Sequence, residues 1–130
     1  AGEIEARLRA DKDRQIKAVC VVHNETATGA VSPIADVRKA MDAAGHPALL
    51  MVDTISSLGS LDFRMDEWGI DGAVGGSQKG LMCPAGFGVL AVNAQLGRLE
   101  VSWLVHRNDR LPIRTSRSFG TVRAGVNYRF

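Results

Sequence analysis

The chain has 130 residues, of which 45% are hydrophobic and 23% are charged. This composition is typical of one ordinary soluble domain, and the length is short for a multi-domain enzyme. No segment approaches the roughly 18 to 20 consecutive apolar residues that a membrane-spanning helix needs, which excludes a membrane protein of that kind. The two cysteines lack metal-ligand spacing. We therefore expect a reducing, cytoplasmic compartment and no metal site.

The net charge of +2 is unevenly distributed. Residues 1–97 carry nine Lys or Arg and 12 Asp or Glu, whereas residues 98–130 carry seven Arg and two acidic residues. An arginine-rich tail can contact nucleic acid. Because this tail has no interleaved aromatic residues and matches no nucleic-acid-binding module, we interpret it as a solvated end and expect no nucleic-acid partner.

The first predicted elements are a helix and a strand. Residues 3–10 place Ile4 and Leu8 on one face of a helix. Residues 16–23, IKAVCVVH, are rich in β-branched side chains, as in a strand that is buried on both faces. Residues 24–32 are predicted to form a polar loop.

The second predicted helix has marked ends. Ser32 is a residue type that caps helices, Pro33 suits the first helical position, and Gly45 can end the helix in the left-handed conformation. Between them, apolar residues recur at helical spacing, namely Ile34, Val37, Met41 and Ala44. A second buried strand is predicted over residues 48–52, and Asp53 follows it directly.

Two more strands are predicted after a polar turn. Residues 72–76 are glycine-rich and lead into the polar segment 77–79, and residues 87–92 form the last clear strand. A turn at residues 84–86 favours an antiparallel return. Strands that are joined by a helical crossover predict an α/β fold with a mainly parallel sheet and right-handed connections.

Polar segments follow three of the predicted strands, at residues 23–26, 53–57 and 77–79. In an open parallel sheet, ligands bind at the carboxyl ends of the strands, so we expect the functional site there. Common motifs are absent: Gln78 precedes Lys79 where a phosphate-binding loop needs glycine, and Lys79 replaces the last glycine of a nucleophile elbow. The three histidines are too widely separated to support a zinc site.

The remaining candidate residues are Asp53 and Lys79, which are 26 residues apart and each follow a predicted strand. A carboxylate beside a pyridine nitrogen keeps that nitrogen protonated, and a partly desolvated lysine attacks aldehydes. Pyridoxal phosphate requires both groups. Spacing alone favours a structural interpretation, in which Asp53 is a turn or helix cap and Lys79 is an exposed loop residue.

Three segments together resemble one family: HNETATG at 23–29, VDTISSLGSLDFRMDEWGID at 52–71 and GSQKGLMCPAGFG at 76–88. They resemble the class V group of fold-type I pyridoxal-phosphate enzymes, and within it the serine–glyoxylate and alanine–glyoxylate aminotransferases. The resemblance covers residues 1–97. It implies a partial cofactor-binding large domain, pyridoxal 5'-phosphate as cofactor, and transamination between serine or alanine and glyoxylate.

The resemblance also implies roles for single residues. Lys79 would form the Schiff base with the cofactor and move a proton between substrate and cofactor. Asp53 would pair with the pyridinium nitrogen, and Ile55 would pack against one face of the ring. Thr26 would hydrogen-bond the ring oxygen or line the substrate side.

Ser77 and Gln78 would reach toward the cofactor phosphate or hold the loop. Gln78 also separates two subfamilies, because class V cysteine desulfurases typically have an acid–base histidine before the lysine. Glutamine lacks that function near neutral pH, so the aminotransferase is favoured over a desulfurase-like lyase. The family commonly has two prolines before the following glycine, whereas this chain has Pro84 alone.

Neighbouring residues are interpreted as structural. His23 ends a predicted buried strand, and we expect a buried structural histidine there. Ser56 and Ser57 are expected to support the preceding Asp turn through side-chain-to-backbone hydrogen bonds. Phe63 and Trp68 are expected to pack beneath the site.

The resemblance implies a protein longer than this chain. Members of the family run to several hundred residues and are homodimers, with an upstream segment that completes the phosphate site and a downstream arginine that binds the substrate carboxylate. We therefore expect residues 1–97 to be part of a large domain and residues 98–130 to be an Arg-rich tail of unassigned fold. The alternative is a non-catalytic fragment of the same fold that binds a partner.

Overall fold

Helices and strands alternate through residues 1–93, the part of the chain that the computed structural model describes. The helices are α1 (Gly2–Ala10) and α2 (Ile34–Ala44). The strands are β1 (Ala18–Val22), β2 (Asn24–Glu25), β3 (Ala30–Val31), β4 (Leu49–Asp53), β5 (Gly72–Gly76) and β6 (Gly88–Val92). Neither α1 nor α2 is long and apolar enough to cross a membrane. The predicted tail at residues 98–130 lies outside the described residues.

The main sheet has the strand order β1–β4–β5–β6. β1 pairs with β4 and β4 pairs with β5 in parallel, whereas β6 returns antiparallel to β5. This confirms the predicted α/β fold with a mainly parallel sheet, including the antiparallel return. The register places Val22 beside Asp53 and Asp53 beside Val74, so the three parallel strands end at one edge of the sheet.

Helix α2 ends as predicted but begins one residue later. Gly45 has a φ of 62°, and its N–H donates to the carbonyl of Asp42, which is the expected left-handed end. The N-cap position is Pro33, and no side chain among residues 1–93 caps the helix. The predicted Ser32 cap is therefore wrong. The Ser32 N–H donates instead to the carbonyl of His23 at 2.8 Å, which holds Ser32 beside the end of β1.

The core lies between the two helices and one face of the sheet. Leu8 of α1 and Met41 of α2 are buried against Leu50 and Val52 of β4. Full burial of one such side chain stabilises the fold by about 1.5–3 kcal/mol. The remaining buried members of this cluster are Ile34, Val37, Ala48, Ile70 and Ala73.

The opposite face of the sheet is exposed. Ala18, Cys20 and Val22 of β1 are exposed and alternate with the half-buried Val19 and Val21, which pack against the core. The prediction that β1 is buried on both faces is therefore wrong within the described residues, where Val22 is 41% exposed. The sequence shows that both faces of β1 are apolar, but it does not show which face a helix covers.

The segment predicted as a polar loop, residues 24–32, contains a short hairpin. β2 and β3 pair antiparallel, with Asn24 opposite Val31. Gly29 closes the turn with a φ of 70° and donates its N–H to the carbonyl of Glu25 at 2.7 Å. Strands of two residues carry no periodic signal, which is why the sequence pattern did not predict them.

A buried carboxylate connects strands at the opposite edge. Asp71 directly precedes β5 and is 6% exposed. Its Oδ2 accepts the N–H of Leu50 at 2.8 Å, and its Oδ1 accepts the side-chain amide of Asn93 at 2.6 Å. The Arg38 guanidinium lies 3.7 Å away and offsets part of the cost of burying the charge. Asp71 thus links β4, β5 and the residue that follows β6.

Asp71→Ala should lower the free energy of unfolding of the full chain by about 3 kcal/mol. Hydrogen bonds to charged groups contribute about 1.5–3 kcal/mol each, and the substitution removes both of these bonds. Urea unfolding measures the loss. The matched control is Asp66→Ala in the preceding turn, an exposed position where a change below about 0.5 kcal/mol is expected. Equal losses in the two variants would contradict the role of Asp71.

Candidate functional site

Backbone hydrogen bonds fix the ends of β1, β4 and β5 side by side. The N–H of His23 donates to the carbonyl of Asp53 at 2.9 Å, and the N–H of Thr54 donates to the carbonyl of Val74 at 2.8 Å. The Thr54 hydroxyl donates to the same Val74 oxygen, also at 2.8 Å. The three polar segments that follow these strands therefore begin at one edge of the sheet.

Asp53 is the last residue of β4 and is half-buried. Its Oδ1 accepts the N–H of Ile55 at 2.8 Å, which orients the carboxylate. Within residues 1–93, Oδ2 makes no hydrogen bond. A carboxylate with one oxygen held and the other available can accept a hydrogen bond from a protonated ring nitrogen. Ile55 is 37% exposed and offers apolar surface next to this carboxylate.

Lys79 lies in an exposed loop after β5. Its carbonyl accepts the N–H of Met82, and the carbonyl of Ser77 accepts the N–H of Cys83, both at 2.9 Å. In the described part of the chain, the Lys79 ammonium group forms neither a hydrogen bond nor an ion pair. The backbone around this lysine is thus held while its amine is available to react with an aldehyde.

Ser77 is buried, and it holds the lysine loop. Its hydroxyl donates to the carbonyl of Pro84 at 2.6 Å and accepts the N–H of Phe87 at 3.3 Å. Gln78 is exposed, and its side chain folds back over Gly76, where a Cβ would lie 3.0 Å from the amide oxygen. Ser77 therefore bonds to the loop, and Gln78 lies against the last residue of β5.

Thr26 lies in the exposed turn between β2 and β3. Its neighbours fix that turn, because the Glu25 carboxylate accepts the N–H of Ala27 at 2.9 Å and the Thr28 hydroxyl accepts the N–H of Ala30 at 3.2 Å. Among the described residues, nothing hydrogen-bonds the Thr26 hydroxyl, so it is available to a ligand.

A buried ring cluster supports the end of β1. His23 is 4% exposed, and its ring centroid lies 5.7 Å from that of Phe63 and 5.9 Å from that of Trp68. Its Nδ1 shares a hydrogen bond with the Ser57 hydroxyl at 2.9 Å. These contacts agree with the interpretation of His23 as a buried structural histidine.

The side chains of Ser56 and Ser57 reach the end of β1. The Ser56 hydroxyl donates to the carbonyl of Asn24 at 2.7 Å and accepts from its amide nitrogen at 3.0 Å. Ser57 pairs with His23. The predicted side-chain-to-backbone hydrogen bond is present at Ser56, whereas the Ser57 hydroxyl bonds to a side chain. Parallel pairing of β1 and β4 brings both partners from more than 30 residues earlier in the chain.

The lysine loop lies directly against the turn that follows β4. A Cβ on Gly59 would lie 2.9 Å from both the carbonyl carbon and the oxygen of Gly80. A Cβ on Gly80 would overlap the carbonyl of Leu58 and lie 2.8 Å from the nitrogen of Ser60. Neither glycine is among the residues that the sequence predicts for the site. The available signal was that Gly80 directly follows Lys79 and that Gly59 interrupts a polar turn.

The fold is that of the fold-type I aminotransferases, of which the described residues form part of the large domain. The ureidoglycine–glyoxylate aminotransferase of Bacillus subtilis superimposes with a TM-score of 0.63 at 33% identity, over 75% of this chain and 24% of that protein. The alanine–glyoxylate aminotransferase of Nostoc sp. superimposes with a TM-score of 0.62 at 34% identity, over 72% of this chain and 23% of that protein.

The family follows from the sequence match. The family model "Aminotransferase class-V" matches residues 2–104, and the chain belongs to that family. It is 62% identical over 109 residues to the serine–glyoxylate aminotransferase of Methylorubrum extorquens, covering 84% of this chain and 27% of that relative. It is 60% identical over 90 residues to the L-aspartate–glyoxylate aminotransferase of Paracoccus denitrificans, covering 69% of this chain and 23% of that relative.

These comparisons confirm the class V resemblance, and they show that the chain spans about a quarter of the length of the curated relatives it matches. The family match extends to residue 104. The boundary at residue 97 between large domain and tail stays a prediction.

Gly80→Ala should destabilise the full chain by about 1–3 kcal/mol, since the added methyl group meets backbone atoms that cannot rotate away. Gly88→Ala is the matched control, because a Cβ there has no neighbour within 4 Å in the described part of the chain. Urea unfolding of both variants measures the difference. If Gly80→Ala were as stable as Gly88→Ala, the close backbone contact would be refuted.

The stability of the chain should decline as the pH falls below 6.5. Burial lowers the pKa of His23 below its ordinary value of 6.5, an effect that the negative charge of Asp62 partly opposes. At a pH between the folded-state and the unfolded-state pKa of His23, the unfolded chain binds a proton that the folded chain does not. Lowering the pH through this range therefore favours unfolding, and the effect ends below the folded-state pKa. Urea unfolding across this range measures the slope, and His23→Asn should reduce it. If the free energy of unfolding of His23→Asn depended on pH as strongly as that of the unsubstituted chain, other titrating groups would be responsible.

Proposed function

We propose that this chain is the cofactor-binding part of a pyridoxal 5'-phosphate-dependent aminotransferase that transfers an amino group from serine or alanine to glyoxylate. The observation that carries this proposal is the arrangement of Asp53 and Lys79 at adjacent strand ends. Each has a functional atom without a partner in the described residues. Membership of the class V family and the glyoxylate-specific names of several relatives support it.

The roles of the residues follow from their chemistry. Lys79 would bind the cofactor aldehyde covalently and carry a proton to and from the substrate. Asp53 would use Oδ2 to keep the ring nitrogen protonated, and Ile55 would contact a face of the ring. Thr26 would bind the ring oxygen or the substrate. The cofactor, when bound, supplies the electron sink that this chemistry needs.

Ser77 and Gln78 would act mainly by holding the lysine loop. This is supported by the hydrogen bonds of Ser77 to Pro84 and Phe87. Gln78 also weakens the case for a cysteine-desulfurase-like lyase, since an amide cannot serve as an acid–base group near neutral pH. The aminotransferase therefore remains the favoured activity.

Glyoxylate is the better supported substrate. Several relatives are named for serine, L-aspartate or ureidoglycine as amino donor, and these names share glyoxylate as the acceptor. The names at highest identity favour serine as the donor.

We further propose a homodimer in the cytoplasm. Leu81, Met82 and Phe87 are exposed apolar residues of the lysine loop, and Met82 is 90% exposed. Such a surface next to a candidate site is typical of a protein contact. Both cysteines are free and exposed, which is compatible with a reducing compartment.

Titration of the purified full chain with pyridoxal phosphate, followed by borohydride reduction and peptide mapping, tests the assignment of the lysine. We expect weak binding, because residues 1–93 contain no group assigned to the substrate carboxylate or to the rest of the phosphate site that the resemblance implies. The reduced adduct should form on Lys79. The matched control is Lys39, which is exposed but held in an ion pair with Asp36 at 2.9 Å. Predominant labelling of Lys39 would contradict the assignment.

Because the chain spans about a quarter of the length of its relatives, transamination is tested in a chimera. The proposed test replaces the matching segment of the Methylorubrum extorquens relative by this chain's residues. The chimera should transaminate serine and glyoxylate, and Lys79→Arg should abolish turnover while retaining the positive charge. An inactive chimera that folds and dimerises normally would favour the alternative of a non-catalytic fragment. Tight binding and turnover by the isolated chain would instead show that no further segment is needed.

A further inference from the structure

His23 contacts the turn that follows β4 at two separate points. Its backbone N–H donates to the carbonyl of Asp53 at 2.9 Å, directly before the turn. Its imidazole Nδ1 hydrogen-bonds the hydroxyl of Ser57, in the middle of the turn. One residue at the end of β1 therefore holds both the start and the centre of the segment 54–61.

The other side of this turn contacts the lysine loop. The hydroxyl of Ser57 is fully buried, and three residues later the backbone of Ser60 lies against Gly80, the neighbour of Lys79. Hydrogen bonds within the turn connect its residues to one another: the N–H groups of Ser57 and Leu58 donate to the carbonyl of Thr54, and those of Ser60 and Leu61 donate to the carbonyl of Ser57. A displacement of Ser57 would therefore change the positions of both the Asp53 carboxylate and the Lys79 amine.

We propose that His23 is a positioning residue, which sets the relative placement of the Asp53 carboxylate and the Lys79 amine through its hydrogen bond to Ser57. Its importance for catalysis depends on the proposed function, whereas its effect on the turn does not. His23 touches neither cofactor nor substrate in this role.

The surroundings of His23 suit this role. Phe63 and Trp68 lie against the imidazole ring and restrict its rotation, so Nδ1 stays directed at Ser57. Asp62 is the charged group whose negative charge acts on the ring. The neutral ring that burial favours can accept or donate at Nδ1, and it therefore satisfies a hydroxyl that has no contact with water.

A packing role alone would predict something different. If His23 only filled space beside Phe63 and Trp68, then phenylalanine would replace it without consequence for the turn. If the bond to Ser57 is what matters, phenylalanine leaves a buried hydroxyl unpaired and releases the turn. Asparagine can place a polar atom near the position of Nδ1, so it would retain the bond while losing the ring.

The first experiment measures amide hydrogen exchange in the full chain, without cofactor. His23→Phe should raise exchange within residues 54–61 and 79–83 by about tenfold, which corresponds to the loss of one ordinary hydrogen bond. His23→Asn should restore much of the protection. His46→Phe is the matched control: His46 is also buried and hydrogen-bonded, but it precedes β4 at the opposite edge of the sheet.

The second experiment measures kcat and KM in the chimera. A misplaced reacting group lowers kcat by about 10- to 100-fold, so His23→Phe should lower kcat while the KM for glyoxylate changes little. His46→Phe should leave kcat unchanged even where it lowers stability. The double variant His23→Phe with Ser57→Ala removes both partners, and it should regain stability without regaining kcat or exchange protection.

The outcomes separate the two proposals. Wild-type exchange in His23→Phe, or full recovery of exchange protection in the double variant, would overturn the positioning role. Exchange that rises equally in His46→Phe would also overturn it. An inactive unsubstituted chimera would count against the proposed function alone, because the exchange experiment needs no cofactor and still decides whether His23 places the turn.

Discussion

The turn at residues 54–61 is held from both sides, and the geometry of the candidate site depends on this constraint. On one side the end of β1 bonds to it through His23 and Asn24. On the other side the backbone at Gly80 lies so close that not even a methyl group fits between the two segments. Glycine permits this approach because it has no Cβ. Asp53 and Lys79 are therefore placed relative to each other by a shared support, and not by contact between their own side chains.

The two edges of the sheet use buried polar groups for different purposes. At the amino-terminal edge, the Asp71 carboxylate connects β4 to the end of β6 and supports the fold. At the carboxyl edge, the His23–Ser57 pair supports a turn next to groups that remain available. In residues 1–93 every fully buried side-chain nitrogen or oxygen has a hydrogen-bond partner. The site's polar groups without a hydrogen-bond partner therefore lie where solvent or a ligand can reach them, as expected for the carboxyl edge of a parallel sheet that binds a ligand.

The sheet has a helical layer on one face only within the described residues. Val22 and Val74 lie exposed on the other face, although parallel sheets are usually covered on both sides. The chain also spans about a quarter of the length of its curated relatives. Both observations fit a segment of a larger domain, in which further elements would cover this face. Composition alone is typical of one ordinary soluble domain, because a count of apolar residues does not reveal whether they are all covered.

The sequence by itself determined the features whose signals are local: the left-handed end of α2 at Gly45, the position of Asp53 at the end of β4, and the family, through three segments that match together. Only the tertiary structure decided which residues support the site. Ser57 pairs with a histidine 34 residues earlier, and Gly59 contacts Gly80, because parallel strands bring distant segments to one edge. Hydrophobic periodicity reports which side chains are apolar and where an element ends. It does not show which distant segments of the chain lie within hydrogen-bond distance of each other, and contacts between such segments determine the geometry of the candidate site.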